Sequence, residues 1–357
     1  MIVLFSVFIL LFTSCRDIYE PELDVQDRYM VVEGLITDEE GPHRVRLSKT
    51  NIFGETSHPE PVVDAMVQIT SSAHDTILLA EKEPGAYFTP DAFKGLPGET
   101  YRLHIEKTDG TMYRSEPQEL RAPVETDTIF GEYGNHLFFY ESQVSGDLIQ
   151  DEVDGVNMFM DVTREDEQVP LFRFSTVMLL QYTVQVSQMP PTYNFCWRKR
   201  SITDFLDKDI GTATGSSVSN RNQFAFFPLN APAMRYLGFP ISDNDTSFVS
   251  YIHPRILINS IYTLNEDAYA FHQARNQQLD DDGSFFDPVD PQLPGNVFNV
   301  QEGKDDVIGF FEVSSVNRVT INVRPFSDGR IEVDYHDCMH EVPSHGCMFM
   351  DQPDWWI

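Results

Sequence analysis

The chain has 357 residues, with 25 basic against 56 acidic side chains and a formal net charge of −31. That balance repels nucleic acid and anionic lipid, and it excludes a role that tracks phosphate backbones. Hydrophobic residues at 41% and aromatics at 12% exclude wholesale disorder; 27 Phe and 14 Tyr among short Gly- and Pro-punctuated runs lean toward β-structure.

The N-terminus reads as a leader. Ile2 to Phe12 is an eleven-residue apolar run, too short for the roughly 20 residues a membrane-spanning helix needs but of signal-peptide length. It ends at Thr13-Ser14-Cys15, a small-residue cleavage site closed by a cysteine. This resembles the lipobox of bacterial lipoproteins, which implies that Cys15 becomes the lipidated first residue of the mature chain. No Lys or Arg precedes the run, so the true start codon is expected upstream of Met1. Asp17, Glu20, Glu22 and Asp24 follow the cysteine. Acids there resemble the signal that sends lipoproteins to the outer face of the outer membrane. Residues 1–14 are therefore expected to be a signal peptide and 15–28 a tether.

From residue 29 the pattern has period two. "YMVVEGLIT" (29–37) is β-branched, and in "HRVRLSKT" (43–50) Val45 and Leu47 alternate with Arg44 and Arg46. "AMVQITSS" (65–72), "DTILLAEKE" (75–83) and "ETYRLHIEKTDGTMYRSEPQEL" (99–120) continue it, the last with the hairpin signal Asp109-Gly110. Short strands at this spacing predict an immunoglobulin-like or transthyretin-like β-sandwich over residues 29–123. Residues 124–357 are expected to form a larger β-rich domain with few short helices, its strands near 156–165, 175–187, 222–230, 247–262 and 317–327. One helix is predicted in "NEDAYAFHQARNQQL" (265–279), with Thr263 and Glu266 as a capping box and Ala268, Phe271 and Arg275 on one face.

Few residues suggest chemistry. "YHDCMHEVPSHGC" gathers His336, Cys338, His340, His345 and Cys347, all zinc-ligand types, but at a spacing that matches no common zinc knuckle. With Cys15 lipidated, Cys196, Cys338 and Cys347 remain, and three cysteines allow one disulfide and one free thiol in any of three pairings. "LDDDGSFFDPVDPQ" (279–292) offers Asp280, Asp282 and Asp287 as weak metal candidates, since calcium takes oxygen ligands; the glycine does not fit an EF-hand loop. There is no G-x-S-x-G, H-E-x-x-H, P-loop or Rossmann fingerprint. No catalytic residue, cofactor or enzymatic activity is expected. Trp197, Trp355 and Trp356 could offer stacking platforms to a sugar, although such aromatics are more often core.

In order along the chain come Cys15, "MVVEGLITDEEGPHRVRLSKT", "VVDAMVQI", "CWRK" (196–199), "AYAFHQARNQQ…GSFFDPVDPQLPGNVFN" (268–299), "VIGFFEVSSVNRVTI" (307–321) and the ending "DC…PDWW". Together they resemble a family of Bacteroidota outer-membrane lipoproteins of unknown function, whose genes lie beside those of TonB-dependent receptors. The resemblance implies a lipid-anchored, surface-exposed accessory subunit of a TonB-dependent outer-membrane β-barrel. It would capture a small ligand as a lid-like subunit and would not bind nucleic acid. The alternative is a free-standing surface glycan-binding protein or adhesin.

Overall fold

The computed structural model describes residues 28–51, 58–141, 148–162, 170–188, 191–201, 210–212, 222–228, 249–250, 255–280, 293, 295–301, 307–325, 330–335 and 345–349. The architecture is mainly β, as the alternation predicts.

The N-terminal strands are β1 (Met30–Thr37), β2 (Arg44–Lys49), β3 (Met66–Ser71), β4 (Thr76–Glu83), β5 (Ala86–Phe88), β6 (Thr100–Glu106), β7 (Met112–Ser115) and β8 (Gln118–Glu119). Their alternation resolves as expected. Val45 and Leu47 of β2, and Tyr101, Leu103 and Ile105 of β6, are buried in one core with Val32, Ile36, Val67 and Ile69. The residues between them face outward. The Asp109-Gly110 turn closes the β6–β7 hairpin: Gly110 has φ +81°, and the Asp109 carboxylate accepts the Thr111 N–H at 2.9 Å.

This sheet takes two strands from near the other end of the chain. β17 (Val297–Asn299) pairs with β7, and β18 (Val307–Ser314) runs parallel to β1, Val32 facing Gly309 and Leu35 facing Glu312. The path runs β17-β7-β6-β3-β4-β5-β2-β1-β18, with β8 on β6, and it curls until its two ends meet. Asn296 fastens them with its side chain: Oδ1 accepts the Phe311 N–H at 2.8 Å, and Nδ2 donates to the Phe311 carbonyl at 2.9 Å. A primary amide presents the same donor and acceptor as a peptide unit, so Asn296 stands in for a strand residue on the edge of β18 away from β1. Gly309 lies directly against Val32 of β1. Its φ is +119°, and a Cβ there would run into the Val32 carbonyl oxygen.

The second half consists of β9 (Thr126–Glu141), β10 (Leu148–Val162), β11 (Leu171–Gln188), β12 (Pro191–Ser201), β13 (Ile210–Thr212), β14 (Asn222–Pro228), β15 (Val249–Ser250), β16 (Arg255–Leu264), helix α1 (Glu266–Asp280), β19 (Val316–Pro325), β20 (Ile331–Tyr335) and β21 (His345–Phe349). β14-β10-β9 form one sheet, and β20-β19-β16-β11-β12-β21 another, with β13 and β15 also on β11. Their facing sides enclose a core of Val156, Met158, Phe172, Phe174, Phe224, Leu257, Ile261 and Ile321. β9 is a 16-residue strand where no strand is expected from the sequence. Gly131 and Gly134 interrupt its apolar pattern, and Gly131 is packed so closely by Ile331, Val156 and Met158 that a Cβ would meet side chains at 2.9 Å.

The helix forms where it is predicted, but its cap differs. Asn265, not Thr263, is the N-cap: its Oδ1 accepts the Ala268 N–H at 2.8 Å. Thr263 still belongs to β16, and its hydroxyl accepts the Val124 N–H at 2.8 Å.

Replacing Asn296 with Ala would remove both bonds to Phe311 and leave a buried peptide N–H without a partner, costing about 2–3 kcal/mol. Urea unfolding should show a lower midpoint with an unchanged slope; an unchanged midpoint would mean that the strand ends are not joined through this side chain.

Candidate functional site

The two halves meet along the β18–β19 connection, where the chain leaves the first sheet and at once enters the second. The seam is built from polar contacts. Val316 N–H donates to Asp38 Oδ1 at 2.7 Å, Arg318 pairs with Glu39 at 2.6 Å, and Arg121 pairs with Glu266 at 2.5 Å. Asn317 Nδ2 donates to the Val124 carbonyl at 3.0 Å, and Asn265 Nδ2 to Gln118 Oε1 at 2.7 Å.

At its centre is Glu312 of β18, which β1 pairing holds in the first sheet while its side chain reaches into the second half. Arg173 of β11 meets it through two nitrogens, Nη2 at 2.9 Å and Nε at 3.0 Å from Oε1. His272 Nε2 lies 2.8 Å from Oε2, and the Ser314 hydroxyl donates to Oε1 at 2.9 Å. An ionised carboxylate can only accept, so His272 donates from Nε2. The Arg173 guanidinium also stacks on the Tyr262 ring at 3.9 Å. Burial pushes the Glu312 carboxyl up. The Arg173 charge, the hydrogen bond from His272 and the remaining donors outweigh it and hold the group down at about 2. Glu312 is therefore a fixed anion across the neutral range.

Beside this cluster opens a groove with a volume of ≈ 920 Å³, bounded by β1, the β1–β2 turn, β18, β16 and α1. This is of the size that holds a small organic ligand. Its apolar surface comes from Leu35, Ile308, Tyr262 and the pair Phe271–Phe310, whose rings stack at 4.7 Å and 22°. Charged residues edge it: Glu33, Glu40 and Arg44 on the first-sheet side, and Arg275 on the helix. His43 also lines it. Burial, against the pull of the Glu39 carbonyl at 3.1 Å, holds its imidazole below the ordinary value, so the ring faces the groove uncharged at neutral pH.

The family model described as "Domain of unknown function (DUF4249)" matches residues 16–320 of the chain. The protein belongs to this family. No curated protein and no solved structure matches it.

Of the residues singled out by sequence in this family member, two described cysteines come together. The β12–β21 register sets Cys196 directly opposite Cys347; Cys338 lies outside the described residues. Cys15, Asp282 and Asp287 also lie outside them, and Asp280 is the last residue of α1. Among the described residues no group of three His, Cys, Asp or Glu side chains could hold a metal ion. Trp197 is core, 8% exposed against Leu179, Ile256 and Ile258, not a surface platform; Trp355 and Trp356 lie outside the described residues. Of the expected helix face, Ala268 is buried, while Phe271 and Arg275 line the groove.

Glu312, Arg173 and His272 are absent from the residues the sequence points to. A signal existed: each is a single ionisable side chain inside an apolar run, "GFFEV", "LFRFS" and "YAFHQ". A buried charge must find a partner.

Two outcomes follow from this geometry. Glu312→Gln keeps the volume but leaves Arg173 buried without its counter-charge, at a cost of about 3–5 kcal/mol near neutral pH. Because the folded-state value of Glu312 is depressed, its contribution is present above the unfolded value of 4.5 and is lost as pH falls toward about 2. The stability gap between wild type and variant should narrow over that window, measured by denaturant unfolding; a gap independent of pH would contradict the ionised cluster. Directly opposed residues on antiparallel strands lie about 4.5–5.5 Å apart at Cα, within disulfide range. Non-reducing peptide mapping is thus expected to return a Cys196–Cys347 linkage, and a Cys338-linked peptide would overturn that pairing.

Proposed function

We propose that the protein is a non-enzymatic, lipid-anchored outer-membrane protein of Bacteroidota type that captures a small ligand for a TonB-dependent β-barrel receptor, with the seam groove as its binding site. The observation that carries the binding part is the groove itself. An aromatic and aliphatic surface edged by separate positive and negative groups suits an amphipathic ligand, with apolar area for affinity and charges for orientation. The carboxylate most deeply set beside it, Glu312, is held ionised by Arg173, His272 and Ser314, which withholds it from acid–base work. That favours binding over hydrolysis.

The anchoring part rests on Thr13-Ser14-Cys15 after the apolar run, and on the acids that follow. The strongly acidic composition suits a protein displayed in solvent above a membrane. The barrel partner rests on the resemblance to lipoproteins encoded beside TonB-dependent receptors.

Detergent extraction of native outer membranes, affinity capture of this chain and mass spectrometry of what accompanies it test the reading. A stoichiometric β-barrel receptor is expected, and Cys15→Ala should move the chain from the membrane to the soluble fraction. A partner-free preparation that binds immobilised glycans would instead favour the free-standing adhesin.

A further inference from the structure

Several cations of the N-terminal strands and their turns stand against a carboxylate: Arg28 and Lys49 on Glu60, Lys82 on Asp91, Lys107 on Asp109. Among the described residues Arg102 of β6 and Arg114 of β7 make no such pair, nor do Arg44 and Arg46 of β2. Because Tyr101, Leu103 and Ile105 point into the core, Arg102 and His104 share the outer face of β6, and the register sets Arg114 directly opposite His104. Two arginines and a histidine thus gather on adjacent strands of a chain in which acids outnumber bases 56 to 25.

The group is held in shape by its neighbours. His104 Nε2 lies 3.0 Å from Thr70 Oγ1 on β3. The Arg114 guanidinium lies over the Phe298 ring of β17 at 5.3 Å, and its Nε is buried without a hydrogen-bond partner. Carboxylates around them are Glu106, next along β6 and opposite Met66 and Met112, Glu116, two residues on from Arg114 and exposed, and Glu119 of β8, opposite Thr100. Among the described residues none of the three forms an ion pair with Arg102 or Arg114. Like charges left together repel, and the imidazole registers it: burial first, then the charges of Arg102 and Arg114, lower its affinity for a proton. An anion set between the guanidiniums would remove the repulsion and accept their N–H groups in the forked geometry that arginine offers to oxyanions.

We propose that Arg102, His104 and Arg114 form an oxyanion site on the outer face of β6 and β7, taking a carboxylate, sulfate or phosphate group. It lies on a different part of the first sheet from the groove and does not depend on the groove's role. Thr70 orients the imidazole, and Phe298 keeps Arg114 extended over the sheet.

The test is the ring-proton NMR titration of His104 in the full chain in detergent, assigned with His104→Gln. Titrations are run in chloride and then, at matched ionic strength, in sulfate, phosphate or acetate. A bound oxyanion stabilises the imidazolium, so the His104 midpoint should rise in at least one of these anions relative to chloride, and binding should tighten as pH falls. The two tetrahedral anions against acetate decide which oxyanion the site takes. Arg102→Gln with Arg114→Gln should abolish the rise and weaken binding about tenfold or more. If that double variant melts below the wild type in chloride, Arg102→Gln alone serves, since Arg102 stacks on no ring among the described residues. A midpoint equal in all four salts, or a rise that survives loss of the arginines, would overturn the site.

Discussion

Glu312 is the side chain on which the two halves of this protein agree. Its backbone is the last-but-two residue of β18, paired with β1 in the N-terminal sheet, while its carboxylate is held by Arg173 of β11 and His272 of α1 in the other half. A carboxylate removed from water costs several kcal/mol, and only near-complete coordination offsets that. Here Arg173, His272 and Ser314 supply the donors. The position is therefore unforgiving: β18, β11 and α1 must all be in place before the charge is accommodated, and any one of them misplaced leaves a buried ion unpaired.

The groove is a consequence of that arrangement. β18 belongs to the first sheet by hydrogen bonding and to the second half by its Glu312 and Phe310 side chains. The outward face of β1 and the helix are thus held apart at a fixed spacing, and the Phe271–Phe310 stack lies between them. Asn296 secures the far edge of β18 with its side-chain amide, so that strand cannot pair elsewhere. A groove built across such a seam is set by rigid elements on both sides.

Much of the first sheet was legible in the chain because a strand with one face buried writes its period into the sequence; β2, β6 and the Asp109-Gly110 turn are examples. β9 was not, since its glycines sit where close packing demands them and erase the alternation. The contribution of 297–314 to the N-terminal sheet could not be read, because strand pairing across two hundred residues leaves no local pattern. The helix start was misplaced by two residues for a related reason: Thr263 satisfies the capping motif locally, but the strand β16 claims it through Val124, and Asn265 takes the role. For the site, composition pointed to cysteines and aspartates, which are chemically conspicuous. The residues that organise the groove are three isolated charges in apolar runs, and their partnership exists only in the fold.

Leu35 lies on the groove wall opposite the helix, so a photo-crosslinking residue in its place, in cells that retain their own outer-membrane receptors, interrogates the groove directly. A groove that receives ligand above a barrel should give adducts with the receptor or with the imported ligand, and these should fall when excess ligand is supplied. Cross-linking no stronger than from an exposed position such as Leu78, and insensitive to ligand, would contradict it.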